Sequence, residues 1–112
     1  MSTIRQQKVE NQVKKDLAII FQRESRNWFN GAFITVTIVR ISPDLSFAKV
    51  YLSFFATEDK EKLLKKVKSY ASKIRYQLGL AVGKQLRIVP ELQFKIDNSI
   101  DYAQEIDELL KE

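Results

Sequence analysis

A chain of 112 residues with 45% hydrophobic and 29% charged residues has the composition of one compact domain and too little length for two. It contains neither Cys nor His, which removes disulfides, thiolate nucleophiles, most zinc cages and the commonest general base. Nineteen Lys and Arg against fourteen Asp and Glu leave a net charge of +5, so a polyanion is the first partner to consider.

Val9, Val13, Leu17, Ile20 and Phe21 recur at three- and four-residue spacing and predict an amphipathic helix from about Thr3 to Ser25, capped by Ser2 or Thr3. Ala32 to Ile41 is rich in β-branched and aromatic residues and reads as a strand. Ser42-Pro43-Asp44-Leu45-Ser46 forms a turn, because Pro43 presets φ and the Asp44 side chain can bond nearby backbone. From Phe47 to Phe54 strict parity places Ala48, Val50, Leu52 and Phe54 on one face of a second strand, hairpinned to the first. Trp28 and Phe29 fall in the expected loop before the first strand. Burial and base stacking are both open to them, as to Phe47 and Tyr51 on the second strand's other face.

Thr57, followed by Glu58, Asp59 and Glu61, predicts the start of a helix running to about Leu78 with Leu63, Val67, Tyr70, Ala71, Ile74 and Leu78 on its apolar face. Gly79 and Gly83 argue for a kink or break there, with Val82 and Leu86 resuming a short helix that Pro90 ends. Leu92, Phe94 and Ile96 alternate as a third strand. Asn98 or Ser99 then caps a last helix carrying Ile100, Ala103, Ile106, Leu109 and Leu110. The expected architecture is an α+β domain over residues 1–112, with a three-stranded sheet packed by helices.

Charge is distributed unevenly. Residues 57–88 hold nine bases and three acids, whereas residues 97–112 hold one base and six acids. A Lys-rich face is ordinarily plain solvation, and it is also compatible with phosphate binding through counterion release. The candidate phosphate contacts are Lys65, Lys66, Lys68, Lys73, Arg75, Lys84 and Arg87, supported by Arg5, Lys8, Lys14 and Lys15. Phosphate loops, dinucleotide fingerprints and nucleophile elbows are absent, and the acids at Asp97, Asp101, Glu105 and Glu108 lack the turn a calcium loop needs. No cofactor, metal or catalytic residue is expected. The longest uncharged run, Asn27 to Val39, is too short for a membrane span, and the N-terminus lacks a secretion signal, so a cytoplasmic location is expected, with a monomer as the default.

Arg5-Gln6-Gln7-Lys8-Val9, Val36-Thr37 and Ser42-Pro43-Asp44-Leu45-Ser46-Phe47-Ala48-Lys49-Val50-Tyr51 form one set of segments in which the chain resembles the ribosome-binding factor A family. Leu86-Arg87, Val89-Pro90-Glu91-Leu92, Phe94, Asp97-Asn98-Ser99-Ile100-Asp101-Tyr102 and Ile106-Asp107-Glu108-Leu109-Leu110 complete the match. The resemblance implies a type-II K-homology-like fold in which an Ala-x-Gly kink, Ala81-Val82-Gly83 here, replaces the nucleotide-clamping G-x-x-G loop. It further implies a bacterial assembly factor that binds the free small ribosomal subunit and its rRNA. Such a factor supports maturation of the rRNA 5′ end, matters for growth in the cold and leaves the subunit in some bacteria with help from a GTPase. The long C-terminal tail of some members is not expected in this chain. Two other readings remain: a general single-stranded RNA binder, and a protein-interaction module docking through its acidic last helix.

Overall fold

The computed structural model describes residues 3–55, 57, 59–83 and 89–97. Helix α1 (Ile4–Phe29) leads into the hairpin of β1 (Phe33–Ile41) and β2 (Phe47–Phe55); helices α2 (Lys60–Ser69) and α3 (Ala71–Val82) then lead to β3 (Glu91–Ile96). Strand β2 is central, antiparallel to β1 and parallel to β3, with Phe47 opposite Glu91 and Leu52 opposite Ile96. This is the expected α+β domain, and its helix–strand–strand–helix–helix–strand order fits a K-homology-like fold. The expected last helix, with its acidic face, lies outside the described residues.

Helix α1 begins with a reciprocal cap. The Gln6 amide N–H donates to Thr3 Oγ1 at 3.1 Å, and the Thr3 N–H donates to Gln6 Oε1 at 2.9 Å. The helix continues past Ser25 through Trp28 and Phe29, which are therefore helical rather than loop residues. It stops at Asn30 (φ 53°) and Gly31 (φ 80°), two successive left-handed residues, with the Gly31 N–H donating to Ser25 O at 2.9 Å. At φ 80° Gly31 occupies a conformation that a side chain would strain.

The stripe Val9, Val13, Leu17, Ile20 and Phe21 is buried as its spacing requires. It packs against Val36, Val39 and Ile41 of β1, Ala48, Val50, Leu52 and Phe54 of β2, and Leu92 and Phe94 of β3. From α2 and α3 the buried contributors are Leu64, Val67, Ile74, Leu78 and Val82, all but Leu64 fully so, while Leu63, Tyr70 and Ala71 sit at the core's margin. Each fully buried side chain of this size contributes about 1.5–3 kcal/mol. Strand β1 does not alternate simply, because Val36 faces Leu52 while Ile38 faces Tyr51, leaving Thr37 as a bulge. The Thr37 hydroxyl bonds Asp97 Oδ2 at 2.7 Å and lies 3.2 Å from Tyr51 O. The bulge changes the strand's parity, so Val36 before it and both Val39 and Ile41 after it point inward.

Three local expectations are corrected. The helix start is capped by Asp59, whose Oδ1 accepts from the Lys62 N–H at 3.0 Å, and not by Thr57, which lies too far upstream to reach the first free amides. The run from Thr57 to Leu78 is two helices, interrupted at Tyr70 (φ −97°, ψ 6°). Gly79 produces no break: α3 passes through it and ends at Gly83, where an added Cβ would sit 2.7 Å from the Gly79 carbonyl oxygen. The two described helices therefore meet at Tyr70 and not at the kink expected at Ala81-Val82-Gly83: Ala81 and Val82 are helical and Gly83 ends α3, while residues 84–88, where the resumed helix was expected, lie outside the described residues.

Two buried polar side chains join α1 to the end of β1. Gln6 Nε2 donates to Ile41 O at 3.1 Å, and Glu10 Oε2 accepts from the Ile41 N–H at 2.9 Å. Glu10→Ala is expected to leave that amide without a partner and to lower stability by about 1–3 kcal/mol in chemical denaturation. In the β1–β2 turn, Asp44 Oδ1 accepts from the Ser42 and Ser46 hydroxyls, both at 2.7 Å, and from the Ser46 N–H at 3.1 Å. The Ser42 hydroxyl first, then the two Ser46 donors, lower the Asp44 pKa to about 2. Because the folded value is the depressed one, the contribution is present above the ordinary value of 3.8 and is lost as pH falls toward 2. Carboxyl NMR titration is expected to show this low midpoint, and Ser42→Ala is expected to raise it.

Candidate nucleic-acid interface

The turn between α2 and α3 forms because Tyr70 leaves helical geometry while its ring remains anchored. Its N–H donates to Val67 O at 3.0 Å, and its carbonyl accepts from the Ile74 N–H at 2.9 Å to start α3. The ring stacks on Trp28 with centroids 5.2 Å apart and planes 17° apart, and meets Phe29 edge-on at 5.6 Å. Phe29 continues the chain of rings inward to Phe21 at 5.8 Å, and Phe21 meets Phe94 of β3 at 6.0 Å. The core packing open to Trp28 and Phe29 is therefore what the fold uses: Phe29 is 2% exposed and Trp28 is half-buried.

On the outer side of Tyr70, Lys73 Nζ lies 5.1 Å from the ring centroid. Such a cation–π contact contributes about 0.5–1 kcal/mol at an exposed site and restricts where the ammonium points. Ser69-Tyr70-Ala71-Ser72 occupies the junction between consecutive helices where a K-homology domain carries its nucleotide clamp, without that loop's glycines. The cation held there is a candidate for meeting a phosphate.

The remaining expected contacts fall into separate groups. Lys65 and Lys68 are exposed on α2. Lys66 is half-buried and, with Lys62 one turn earlier, borders a cleft also lined by Asn30, Gly31, Phe55 and Asp59. Arg75 serves the fold as well, since its Nη2 donates to Val89 O at 2.9 Å and ties α3 to the segment entering β3. Trp28 lies against Tyr70, and Arg23 Nη2 donates to Gln77 Oε1 at 3.0 Å, so α1 and α3 run antiparallel.

Arg5, Lys8, Lys14 and Lys15 are exposed on α1. At about 100° per residue, Arg5 shares the face of Arg23, with Lys8 about 60° from it, whereas Lys14 is on the opposite side. Lys14 accordingly lines a groove with Glu10, Asn11 and Arg40 on the β1 flank, apart from the α2 and α3 cations. Lys84 and Arg87 lie outside the described residues. Lys62 and Tyr70 are the two site residues that sequence reasoning passed over. The Lys62–Lys66 interval was a usable signal, but Tyr70 at the end of an apolar stripe read as core. Among the described residues no helix is long and apolar enough to cross a membrane, and no group of three Asp or Glu is arranged to hold a metal ion.

A family model described as Ribosome-binding factor A matches residues 5–110. The ribosome-binding factor A of Cytophaga hutchinsonii is 46% identical over 110 residues, covering 98% of this chain and 83% of that protein. Its counterpart from Brevibacillus brevis is 38% identical over 116 residues, covering 100% and 91%. Among solved structures, the crystal structure of ribosome-binding factor A from Thermus thermophilus superposes with a TM-score of 0.69 at 26% identity, covering 81% of this chain and 94% of that one. A homology model of the Thermus thermophilus factor, fitted into a cryo-electron microscopy map of its complex with the 30S subunit, gives a TM-score of 0.64 at 27% identity, covering 81% and 93%.

Tyr70→Leu keeps apolar volume but removes both ring contacts and the seat of Lys73. It is expected to cost about 1–3 kcal/mol in thermal or chemical unfolding. It should also shift Trp28 emission to longer wavelength as that indole gains water.

Proposed function

The chain belongs to the ribosome-binding factor A family, and from that premise we propose that it binds the free, immature small ribosomal subunit and stabilises one arrangement of its rRNA. The observation that carries this reading is a family match over residues 5–110, with relatives covered over most of their own length. The Thermus thermophilus relative, fitted into a complex with the 30S subunit, supplies the partner by analogy.

The protein acts in this reading as a single cytoplasmic domain and as a monomer. It needs no catalytic step: a factor that binds the immature arrangement more tightly than the mature one shifts the population by that difference in affinity and is released when the site changes. A GTPase can assist release by altering the subunit rather than the factor. Assistance to the folding and processing of the rRNA 5′ end, with the strongest requirement in the cold, follows from the same preference, because misfolded RNA helices rearrange more slowly at low temperature.

Phosphate contacts are assigned to the outer faces of α2 and α3, with Lys66 and Lys73 as the two cations that the fold orients. Lys65 and Lys68 add charge beside them, and Arg5 and Lys8 extend the basic surface along α1. Lys84, Arg87, Lys15 and, on the far flank, Lys14 complete the assignment. Arg75 holds Val89 as well as carrying charge, so its replacement tests two things at once.

Gradient co-sedimentation across a salt series tests the reading. Salt-sensitive binding to free small subunits, and not to full ribosomes, is expected. Equal binding to every RNA would favour a general single-stranded binder, and no binding would remove the ribosomal assignment. Lys66→Ala with Lys73→Ala is expected to weaken subunit binding and to reduce the slope of log affinity against log salt by about two, with the fold retained.

A further inference from the structure

Among the described residues two phenylalanine rings are exposed outside the core. Phe33 opens β1 and Phe55 closes β2, directly opposite one another, and they are 66% and 73% exposed. Their centroids are 6.4 Å apart with planes 77° apart, so the face of one ring meets the edge of the other. Neither joins the core cluster, although Phe54 beside Phe55 is 5% exposed and Phe29 is 2% exposed.

Phe55 also borders the open cleft, of about 440 Å³, that Lys62 and Lys66 line from α2. Its other lining residues include Phe29, Ala32 and Leu63, and the acid among them, Asp59, already accepts the Lys62 backbone N–H at the helix cap. One ring of the exposed pair, Phe55, thus borders a cleft that two Lys side chains line one helical turn apart.

We propose that Phe33 and Phe55 form a stacking platform for one unpaired nucleobase of the bound RNA, with a neighbouring phosphate drawn to Lys62 and Lys66. The inference rests on the ribosomal reading and deepens it. Shape-directed phosphate contacts along the helices place the protein, and the ring pair takes a base that the RNA presents unstacked. Every base has a π-face, so such a platform tolerates sequence, and the nearby ammonium groups complement the phosphate that accompanies the base. Two rings offer a base-sized patch, far below the roughly 800 Å² per partner of a stable protein interface, and Lys is depleted in the cores of such interfaces.

The test uses the full chain and a fluorescein-labelled single-stranded oligoadenylate of about eight nucleotides. In wild-type protein, the Phe33 and Phe55 ring protons are expected to move upfield on titration with the unlabelled strand. Phe33→Leu with Phe55→Leu is expected to lower affinity about tenfold while the unfolding transition stays in place, and Phe55→Tyr to retain affinity. The same Leu pair is expected to weaken binding to free small subunits.

Unmoved ring protons, or an affinity that the Leu pair leaves unchanged, would overturn the platform. If the Leu pair loosened only the subunit complex, the patch would face ribosomal protein and the platform would fall. The two readings fail separately. Ring-dependent oligonucleotide binding in a protein that does not sediment with subunits would keep the platform and remove the ribosomal reading. Subunit binding that needs Lys66 and Lys73 but neither ring would do the reverse.

Discussion

A parallel strand pair cannot be closed by a tight turn, and that constraint organises this fold. Strands β2 and β3 run parallel, so the chain must cross from the end of one to the start of the other, and α2 and α3 make the crossing. The crossing must also cover the apolar face that Ala48, Val50, Leu52 and Phe54 present, because α1 alone is one helix wide. Two short helices meeting at an angle cover more of that face than one straight helix of the same length. The bend at Tyr70 follows, and the Lys-rich outer faces of both helices are left to solvent.

The aromatic relay makes that bend specific. From Phe94 on β3 the rings run through Phe21 and Phe29 to Tyr70 and Trp28, so the junction between α2 and α3 is tied to both ends of the architecture. Aromatic pairs of this kind contribute about 0.5–1.5 kcal/mol each beyond the area they bury. The same ring that fixes the bend positions the Lys73 ammonium on its exposed side, which couples the stability of the turn to the orientation of a surface charge. At the other end of α1, Gln6 and Glu10 engage both polar groups of the Ile41 peptide. The long helix is thereby secured to β1 as well as to α3, with no buried side-chain polar atom left unpartnered among the described residues.

Surface charge is organised by this packing. Exposed cations reach RNA through long-range, salt-dependent attraction that does not distinguish bases, so their placement decides orientation more than sequence preference. The proposed Phe33–Phe55 platform would add a contact of a different physical kind, short-ranged and insensitive to salt. In the proposed function, many weak contacts of both kinds suit holding one state of a large RNA and then releasing it, since loss of the matching RNA shape removes several at once.

Much of the fold was legible in the chain itself. Period alone identified the stripe from Val9 to Phe21 and the inward parity of Ala48 to Phe54, because burial imposes 3.6- and 2-residue repeats directly on the sequence. Segments such as Ser42 to Tyr51 also carried the family resemblance. The bulge at Thr37 was not legible, since it breaks the parity it would have to be read from. The helix junction at Tyr70 was hidden for a related reason: Leu63, Val67, Tyr70, Ala71 and Ile74 keep helical period across a bend, while Gly79, a residue unfavourable in helices, lies inside α3 where Val89 approaches it closely. The cations could be counted from the sequence, but not sorted. Tertiary structure committed Arg75 to Val89, braced the Tyr70 ring that seats Lys73 against Trp28 and set Lys14 beside Arg40 of β1, because each of those outcomes depends on residues distant in the chain that only folding brings within reach.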